Sequence, residues 1–307
     1  MPDFDWQPIR DRWAELAQVV VDPQVGRRDN RFRIKRWLNP FAGPDLGIAL
    51  TGMRGTGKTT LHRALRHRLQ VGEYADRGES PDRETDQFLV TGKNGKKRVQ
   101  LVVVPGQKDS DQGKRTINQF FKDGKSPTGV VHSVSWGYST IWDHANERAA
   151  LDVVPTASGA AGPSPNPIAR IREFNLTHEL ADFQQTRELL QDAWRYTTKP
   201  VWLILAISKV DLYRNPADLA NAANYYIPAA NPSNDTDFSR ELRGLVDHIG
   251  QGRMAGRVTV VPACSYLEQF STTTNTQVTS SGDLDLTSVL LANVLHTIGE
   301  FCVVEPR

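Results

Sequence analysis

The stretch from Gly52 to Thr59, GMRGTGKT, constrains the fold of this chain more than any other. It follows a short apolar run that starts at Leu46 and precedes a helical pattern, TTLHRALRHRLQ. Glycines at this spacing let backbone N–H groups turn inward around an anion, and a helix that begins near Lys58 points its positive dipole end at the same place. The sequence therefore predicts a strand, a phosphate-binding loop and a helix, in that order.

The spacing Gly-x4-Gly-Lys-Thr is the Walker A motif, and it gives each polar group an expected role. The Lys58 ammonium is expected to reach the β and γ phosphates of a nucleotide, and the Thr59 hydroxyl to ligate Mg²⁺. The motif does not choose between ATP and GTP. The predicted phosphate-binding residues are Gly52, Gly55, Thr56, Gly57, Lys58, Thr59 and Thr60.

From Leu46 onward, strand-like apolar runs alternate with helical patterns. This alternation predicts an α/β fold, a doubly wound and mostly parallel six-stranded sheet with helices on both faces. One strand is expected to be antiparallel, because Asn94-Gly95 separates two strand-like runs. Ligands of such sheets bind at the carboxyl ends of the strands. The expected strands are LGIALTG, DQFLVTG, KRVQLVVVPG, TGVVHSVSW, VWLILAISK and RVTVVPACS.

The pattern changes at about residue 45, which predicts two parts. Residues 1–45 are predicted to comprise an amphipathic helix and a basic linker. This part is either a solvated linker or a cap on the main domain, or it is an arm that docks on a membrane surface or a partner. Residues 46–307 are expected to form one domain with insertions at about 136–177, 213–237 and 267–283. A helix is expected over THELADFQQTRELLQDAW, after the first insertion. The apolar stripe of the first helix is Trp6, Ile9, Trp13, Leu16 and Val20.

Composition limits the function classes. The 307-residue chain has a formal net charge of +2, which is too mild for nucleic-acid binding by bulk charge. Its two cysteines, Cys264 and Cys302, form neither a disulfide framework nor a zinc spacing, so a reducing cytoplasm is the expected location. Neither a signal peptide nor a transmembrane segment is predicted. His62 and His67 are expected on a helix surface rather than at a metal.

A Lys-x-Asp sequence at a predicted strand end bears on the choice of base. Ser208, Lys209 and Asp211 lie in ISKVD, directly after the run VWLILA. A carboxylate held there can accept hydrogen bonds from the ring N–H and the exocyclic amino group of guanine, a donor pair that adenine lacks. Asp211 is therefore predicted to select guanine, with Lys209 lying across the base. A Lys-x-Asp turn without this role is the alternative.

Walker A followed about 150 residues later by SKVD at a strand end resembles the Ras-like P-loop GTPases of the translation-factor class. The resemblance implies a Ras-like G domain that binds GTP or GDP with Mg²⁺, hydrolyses GTP and acts as a switch for protein partners. It places those partners at the N-terminal helix, the switch loops or the long insertions. It also places Cys264 and Ser265, in PACSYL, in the fifth motif beside the guanine oxygen, although a small-residue turn after a strand accounts for the same letters.

The third motif of this family, Asp-x-x-Gly, is degenerate here. Val103 stands at the aspartate position, while Gly106 and Gln107 match. The resemblance assigns Gly106 to the γ-phosphate and Gln107 to the attacking water, so the expected catalytic residues are Lys58, Gln107 and Gly106. Thr85, directly before a predicted strand, is the candidate switch threonine for Mg²⁺.

Asp109 or Asp111 could supply the missing carboxylate from the loop beyond Gly106. Two other functions stay open. One is a GTP- or GDP-binding module that has lost catalysis and acts as a structural or interaction subunit. The other is a P-loop ATPase or kinase in which SKVD has no role in binding the base.

Overall fold

A computed structural model of the chain describes residues 4–26, 33–36, 44–69, 85–92, 95–106, 111–122, 126–141, 147, 151, 166–197, 199–250, 254, 257–267, 269–271 and 277–303. The strands are β1 (Arg33–Arg36), β2 (Leu46–Thr51), β3 (Thr85–Gly92), β4 (Gly95–Val103), β5 (Gly129–Val134), β6 (Trp202–Ile207), β7 (Val258–Pro262), β8 (Phe270–Ser271) and β9 (Gln277–Val278). The α-helices are α1 (Gln7–Val21), α2 (Lys58–Leu69), α3 (Asp111–Ile117), α4 (Pro167–Trp194), α5 (Pro216–Tyr226), α6 (Asp237–Ile249) and α7 (Leu284–Val303).

Within the described residues, one large sheet has the strand order β1-β3-β4-β2-β5-β6-β7. β3 runs antiparallel to both of its neighbours, and the remaining pairs are parallel. The doubly wound α/β fold with one antiparallel strand is thus confirmed, and all six predicted strands are present. β1, from the basic N-terminal segment, adds a further strand at the edge.

Helices bury both faces of the sheet, so even the polar side chains of its central strands, such as His132 and Ser133, are buried. All residues of β5 and β6 are buried, as expected for parallel strands covered on both sides. One apolar cluster joins the sheet to α4, α5 and α6. The other joins it to α2 and α7. The loops that follow β2, β5 and β6 leave this core at the same edge.

The N-terminal helix α1 packs against the main domain. Its predicted stripe is buried, and the side chains of Trp13 and Leu16 enter opposite clusters. Trp13 Nε1 donates to the Leu219 carbonyl at 3.2 Å, and Arg12 pairs with Glu300 of α7 at 2.9 Å. The helix itself is therefore a cap, whereas residues 27–32 of the basic segment lie outside the described residues. The domain division at residue 45 stays a prediction.

The last helix, α7, is long and apolar enough to cross a membrane by length and composition, which the sequence analysis did not anticipate. Its most apolar window has a mean hydropathy of 1.5, and 61% of that window is buried inside the protein. Leu290, Val294 and Ile298 are among the buried residues. The apolar face of α7 is thus covered by the sheet.

Two of the predicted insertions contain helices. α4 begins at Pro167 rather than at Thr177, and the Asn166 side chain caps it by accepting a hydrogen bond from the Ile168 N–H. α5 lies inside the segment 213–237 and is capped in the same way by Asn215. These asparagines precede a proline, which is a favourable first residue of a helix.

We expect Gly129→Ala to test the packing of β5 on β6. Gly129 pairs with Trp202, and a Cβ atom at Gly129 would lie 2.0 Å from Cε2 of that buried ring. Because neither strand can move without disturbing the core, the free energy of unfolding should fall by about 2–3 kcal/mol in denaturant titrations.

The matched control is Gly244→Ala in α6. A Cβ atom there would meet only Arg187 Nη1 at 3.9 Å, so we expect stabilisation by about 0.4–1 kcal/mol. Equal unfolding free energies for wild type and Gly129→Ala would contradict this packing.

Candidate nucleotide site

The loop between β2 and α2 has a backbone that only glycine adopts readily. Gly52 has φ +132° and Gly55 has φ +88°, in the region that side chains disfavour. A Cβ atom at Gly52 would lie 2.2 Å from the Ser133 carbonyl oxygen, and one at Gly55 would lie 2.3 Å from that of Thr140. The phosphate loop, residues 52–57, therefore lies directly against the end of β5 and against the chain that leaves this strand.

Lys58 is buried over this loop. Its Nζ donates to the Met53 carbonyl at 2.7 Å, and the Thr56 hydroxyl donates to the same carbonyl at 2.9 Å. Met53 thus holds the ammonium above the turn, next to the N-terminus of α2. Thr59 and Thr60 are half-buried in the first turn of that helix. The predicted phosphate-binding residues lie together.

Gly106 packs against the phosphate loop, as its predicted contact with the γ-phosphate requires. A Cβ atom there would lie 2.5 Å from the Arg54 backbone nitrogen and 3.0 Å from Lys58 Nζ. Val103, at the aspartate position, is buried in the apolar cluster with Leu61. Gln107 lies outside the described residues.

The other residues predicted for the metal site do not form a cluster among the described residues. Thr85 is half-buried and pairs with Val102, which places it at the carboxyl end of β4, the edge where the phosphate loop lies. Asp111 is exposed at the start of α3, and Asp109 lies outside the described residues. No group of three or more His, Cys, Asp or Glu side chains among the described residues could hold a metal ion. The donors present fit an ion that takes threonine hydroxyls, phosphate oxygens and water.

Ser208 joins the base motif to the phosphate loop. Its hydroxyl lies 2.7 Å from the Thr56 carbonyl oxygen and 2.8 Å from that of Val134. Lys209 follows with φ +59°, and its Nζ donates to the Tyr138 carbonyl at 3.0 Å and contacts the Thr140 hydroxyl at 3.1 Å. The side chain of Lys209 therefore runs towards the segment that lies against Gly55.

Asp211 presents a buried carboxylate near the place where the phosphate loop, residues 135–140 and residues 208–211 meet, which we call the crevice. Its Oδ1 accepts a hydrogen bond from Cys264 Sγ at 3.3 Å, whereas Oδ2 is buried without a hydrogen-bond partner among the described residues. Burial raises the pKa of Asp211, while interactions with Ser280, Cys264 and Lys209 oppose the shift. An unpaired buried acceptor is costly, so the site is suited to a ligand that brings N–H donors.

Cys264 lies beside Asp211, and Ser265 follows it in the chain. Cys264 is buried and Ser265 is half-buried. Burial and the Asp211 carboxylate raise the pKa of the Cys264 thiol, so this side chain is a neutral donor. The contact of Cys264 with Asp211 runs through sulfur, which the sequence motif does not indicate.

Sequence reasoning missed Glu179 of α4, which orders the loop after β5. Its Oε1 accepts hydrogen bonds from Ser135 N at 3.1 Å and Gly137 N at 3.3 Å. The hydroxyls of Ser135 and Ser139 donate to the same oxygen. Its Oε2 accepts one from the Tyr226 hydroxyl at 2.5 Å. These contacts hold Trp136 at φ +49°, a conformation that costs energy outside glycine.

A signal for this network exists in the sequence. Asn175, Glu179 and Asp182 repeat at helical spacing on one face of α4, and all three are buried. Asn175 Nδ2 donates to the carbonyls of Gly137 and Ser139 at 2.8 and 2.9 Å. A polar stripe on a core helix indicates buried partners.

The prediction that His62 lies on the helix surface was wrong. His62 is only 3% exposed, and its Nε2 lies 2.9 Å from Asp86 of β3. Tertiary packing of α2 on β3 covers that face of the helix, which helical spacing alone could not reveal. His67 is exposed, as predicted.

No protein-family model matches the chain, and no curated protein matches it. Similar solved structures include the signal recognition particle receptor SRb-GTP/SRX complex from Chaetomium thermophilum, with 13% identity, TM-score 0.40, and coverage of 74% of this chain and 94% of that one. A dimerization-deficient mutant of Toc33 from Arabidopsis thaliana has 11% identity, TM-score 0.34, and coverage of 85% and 86%. The cytosolic domain of the T. maritima FeoB iron transporter, in GMPPNP form, has 16% identity, TM-score 0.32, and coverage of 72% and 57%. These similarities are weak. The assignment of an α/β fold of the P-loop type therefore rests on the strand order and the phosphate loop of this chain.

We expect Glu179→Gln to alter how stability depends on pH. Burial is the largest influence on Glu179 and raises its pKa above the ordinary 4.5, against hydrogen bonds from Tyr226 and Ser135. The native state then holds this proton more tightly than the unfolded chain, so the contribution of Glu179 is fully present below pH 4.5 and is lost as the pH rises through the raised pKa.

Since glutamine does not titrate, the stability of wild type relative to Glu179→Gln should decrease from pH 4.5 to neutral, measured by denaturant titration. Glu173→Gln, at an exposed position on the same helix, is the control and should show no such trend. An increase of the relative stability with pH would contradict the assigned direction.

Proposed function

We propose that this protein is a guanine-nucleotide-binding switch protein that binds GTP and GDP with Mg²⁺ and hydrolyses GTP slowly. One observation carries the proposal. The Oδ2 atom of Asp211 is buried without a hydrogen-bond partner among the described residues, and Ser208, in the same segment, lies 2.7 Å from the Thr56 carbonyl oxygen of the phosphate loop. A base reader and a phosphate cradle are thus fixed relative to each other.

Asp211 is the proposed reader of the base. Guanine offers a ring N–H and an exocyclic amino group on one edge, and a carboxylate can accept from both. Adenine would leave the buried oxygen unpaired, which a site of this kind rejects strongly. Lys209, Cys264 and Ser265 complete the proposed base site, Lys209 along the base plane and the other two at its edge.

The phosphate loop is the proposed cradle for the phosphates. Lys58 Nζ donates to the Met53 carbonyl, and phosphate oxygens in this loop would offer the ammonium charged acceptors. Backbone N–H groups of residues 52–57 and the first turn of α2 add fixed positive dipoles. Thr59 and Thr85 are the proposed Mg²⁺ ligands, and bound Mg²⁺ would neutralise phosphate charge.

Slow hydrolysis follows from what surrounds the γ-phosphate position. Gly106 lies against Lys58 and can offer its backbone N–H, and Gln107 is proposed to orient the attacking water. Val103 places an apolar side chain in the core where the family has an aspartate, so the metal is held less firmly. We also propose a cytoplasmic location.

Val103 also favours a second candidate, a GTP- or GDP-binding module without catalysis that serves as a structural or interaction subunit. Val103 is buried and apolar, so it supplies no carboxylate to a metal from this position. Single-turnover hydrolysis separates the two functions, because the switch protein converts bound GTP and the module retains it. In either case protein partners are proposed at the switch loops, the insertions or the outer face of α1.

We expect Asp211→Asn to change the base preference from guanine to xanthine. Asparagine presents an N–H donor where the carboxylate accepts, so GTP affinity should fall by roughly 100-fold or more, while xanthosine triphosphate should bind better than it does to wild type. Calorimetric titration of wild type and variant with GTP, ATP and xanthosine triphosphate measures both effects.

Asp247→Asn, at an exposed position of α6, is the matched control and should keep the wild-type preference. Unchanged base preference in Asp211→Asn would refute the assignment of Asp211. An ATP preference of the wild type would favour a P-loop ATPase or kinase.

We expect Lys58→Met to weaken the binding of every nucleoside triphosphate by the same factor. Loss of a charge-assisted hydrogen bond to phosphate should lower GTP affinity by about 100-fold without altering the GTP-to-ATP ratio. Arg63→Met, on the exposed face of the same helix, should bind GTP as the wild type does. A changed base ratio in Lys58→Met would contradict the separation of phosphate and base sites.

A further inference from the structure

A short turn from the third insertion lies directly on Asp211. The Ser281 backbone N–H and hydroxyl donate to the Asp211 carbonyl oxygen at 3.0 and 2.9 Å. The neighbouring Ser280 side chain interacts with the Asp211 carboxylate. We call Ser280–Gly282 the specificity turn. It contacts both the backbone and the side chain of the residue that reads the base.

Gly282 brings this turn as close as the chain allows. A Cβ atom at Gly282 would lie 3.0 Å from Asp211 Cβ and 2.7 Å from Leu267 Cδ2. Leu267 can adjust because its contact is the end of a flexible side chain, but Asp211 Cβ is fixed by its own backbone. A Cβ atom added at Gly282 would therefore push on the Cβ atom that carries the Asp211 carboxylate.

Arg214 ties the specificity turn to the N-terminal helix. Its Nη1 donates to the Ser281 carbonyl at 2.5 Å. Its Nε and Nη2 donate to the carbonyls of Val20 and Val21, at the end of α1, at 2.8 and 3.1 Å. One guanidinium thus bridges the last turn of α1 and the turn that holds Asp211.

We propose that Ser281 and Gly282 are positioning residues for base selection, and that Arg214 makes this selection depend on the docking of α1. The inference rests on the proposed function of Asp211. Selection of guanine is a difference between binding energies, and it requires both donors of the base to meet the carboxylate at once. If the Asp211 carboxylate is displaced, it keeps a hydrogen bond to one donor of the base and loses the hydrogen bond to the other.

The test compares GDP with inosine diphosphate, which lacks only the exocyclic amino group. The ratio of the two affinities measures the second hydrogen bond, and it is insensitive to the phosphate loop and to the fraction of folded protein. Ser281→Ala and Gly282→Ala should each lower this ratio by about tenfold relative to wild type. Arg214→Gln should lower it in the same direction by a smaller factor.

Two controls accompany these variants. Ser271→Ala changes an exposed serine of the same insertion, and Arg195→Gln changes an exposed arginine beyond α4. Both should keep the wild-type ratio. ADP titration of the wild type is included, so that loss of base selection by the variants is distinguished from its absence in the protein.

A GDP preference in the wild type together with an unchanged ratio in Ser281→Ala and Arg214→Gln would overturn this inference and leave the proposed function intact, even if Gly282→Ala failed to fold. Equal binding of GDP and ADP by the wild type would overturn the proposed function and this inference with it. A lowered ratio in Ser281→Ala at wild-type thermal stability would support the positioning role.

Discussion

Parallel pairing of β2, β5 and β6 is the constraint on which the site depends. The register sets Thr51 opposite His132 and Val134 opposite Ile207, so three loops leave the sheet at one edge. Each then hydrogen-bonds to its neighbour. Ser208 reaches the Thr56 carbonyl at 2.7 Å, and the Thr140 N–H reaches the Gly55 carbonyl at 3.2 Å. The phosphate loop is therefore held by two other strands as well as its own.

Buried polar groups keep these loops in one arrangement. The Glu179 carboxylate accepts hydrogen bonds from backbone N–H groups of the loop after β5, and the Asn175 side chain donates to two carbonyls of the same loop. A network of this kind is stabilising only when its members are satisfied. Asp211 Oδ2 is buried without a hydrogen-bond partner among the described residues, and an unsatisfied acceptor at a preorganised site is suited to a ligand that brings a donor.

The sequence revealed the elements whose signals are local. The Walker A spacing placed the phosphate loop, alternating patterns placed all six core strands, and the spacing of Trp6 to Val20 gave the buried face of α1. Because Asp211 and Gly106 follow the ends of predicted strands, the sequence was enough to locate both residues at the crevice. Each of these depends on a few neighbouring residues and a known fold rule.

Features set by distant contacts could not be predicted. The burial of His62 comes from β3, and the early start of α4 at Pro167 follows a proline-rich stretch that resembles a loop in composition. The role of Glu179 depends on the strained turn at Trp136, and that of Ser281 on an insertion folding back onto Asp211. Such contacts join residues far apart in the chain. A local pattern such as the polar stripe of α4 indicates that buried partners exist, but it does not identify them.

The most direct test of the central claim is an experimental structure of the protein with GDP and Mg²⁺. If Asp211 reads the base, the guanine ring nitrogen and amino group should each lie about 2.9 Å from a carboxylate oxygen of Asp211, with the diphosphate in the loop of residues 52–57. A diphosphate in that loop with the base turned away from Asp211 would contradict the account.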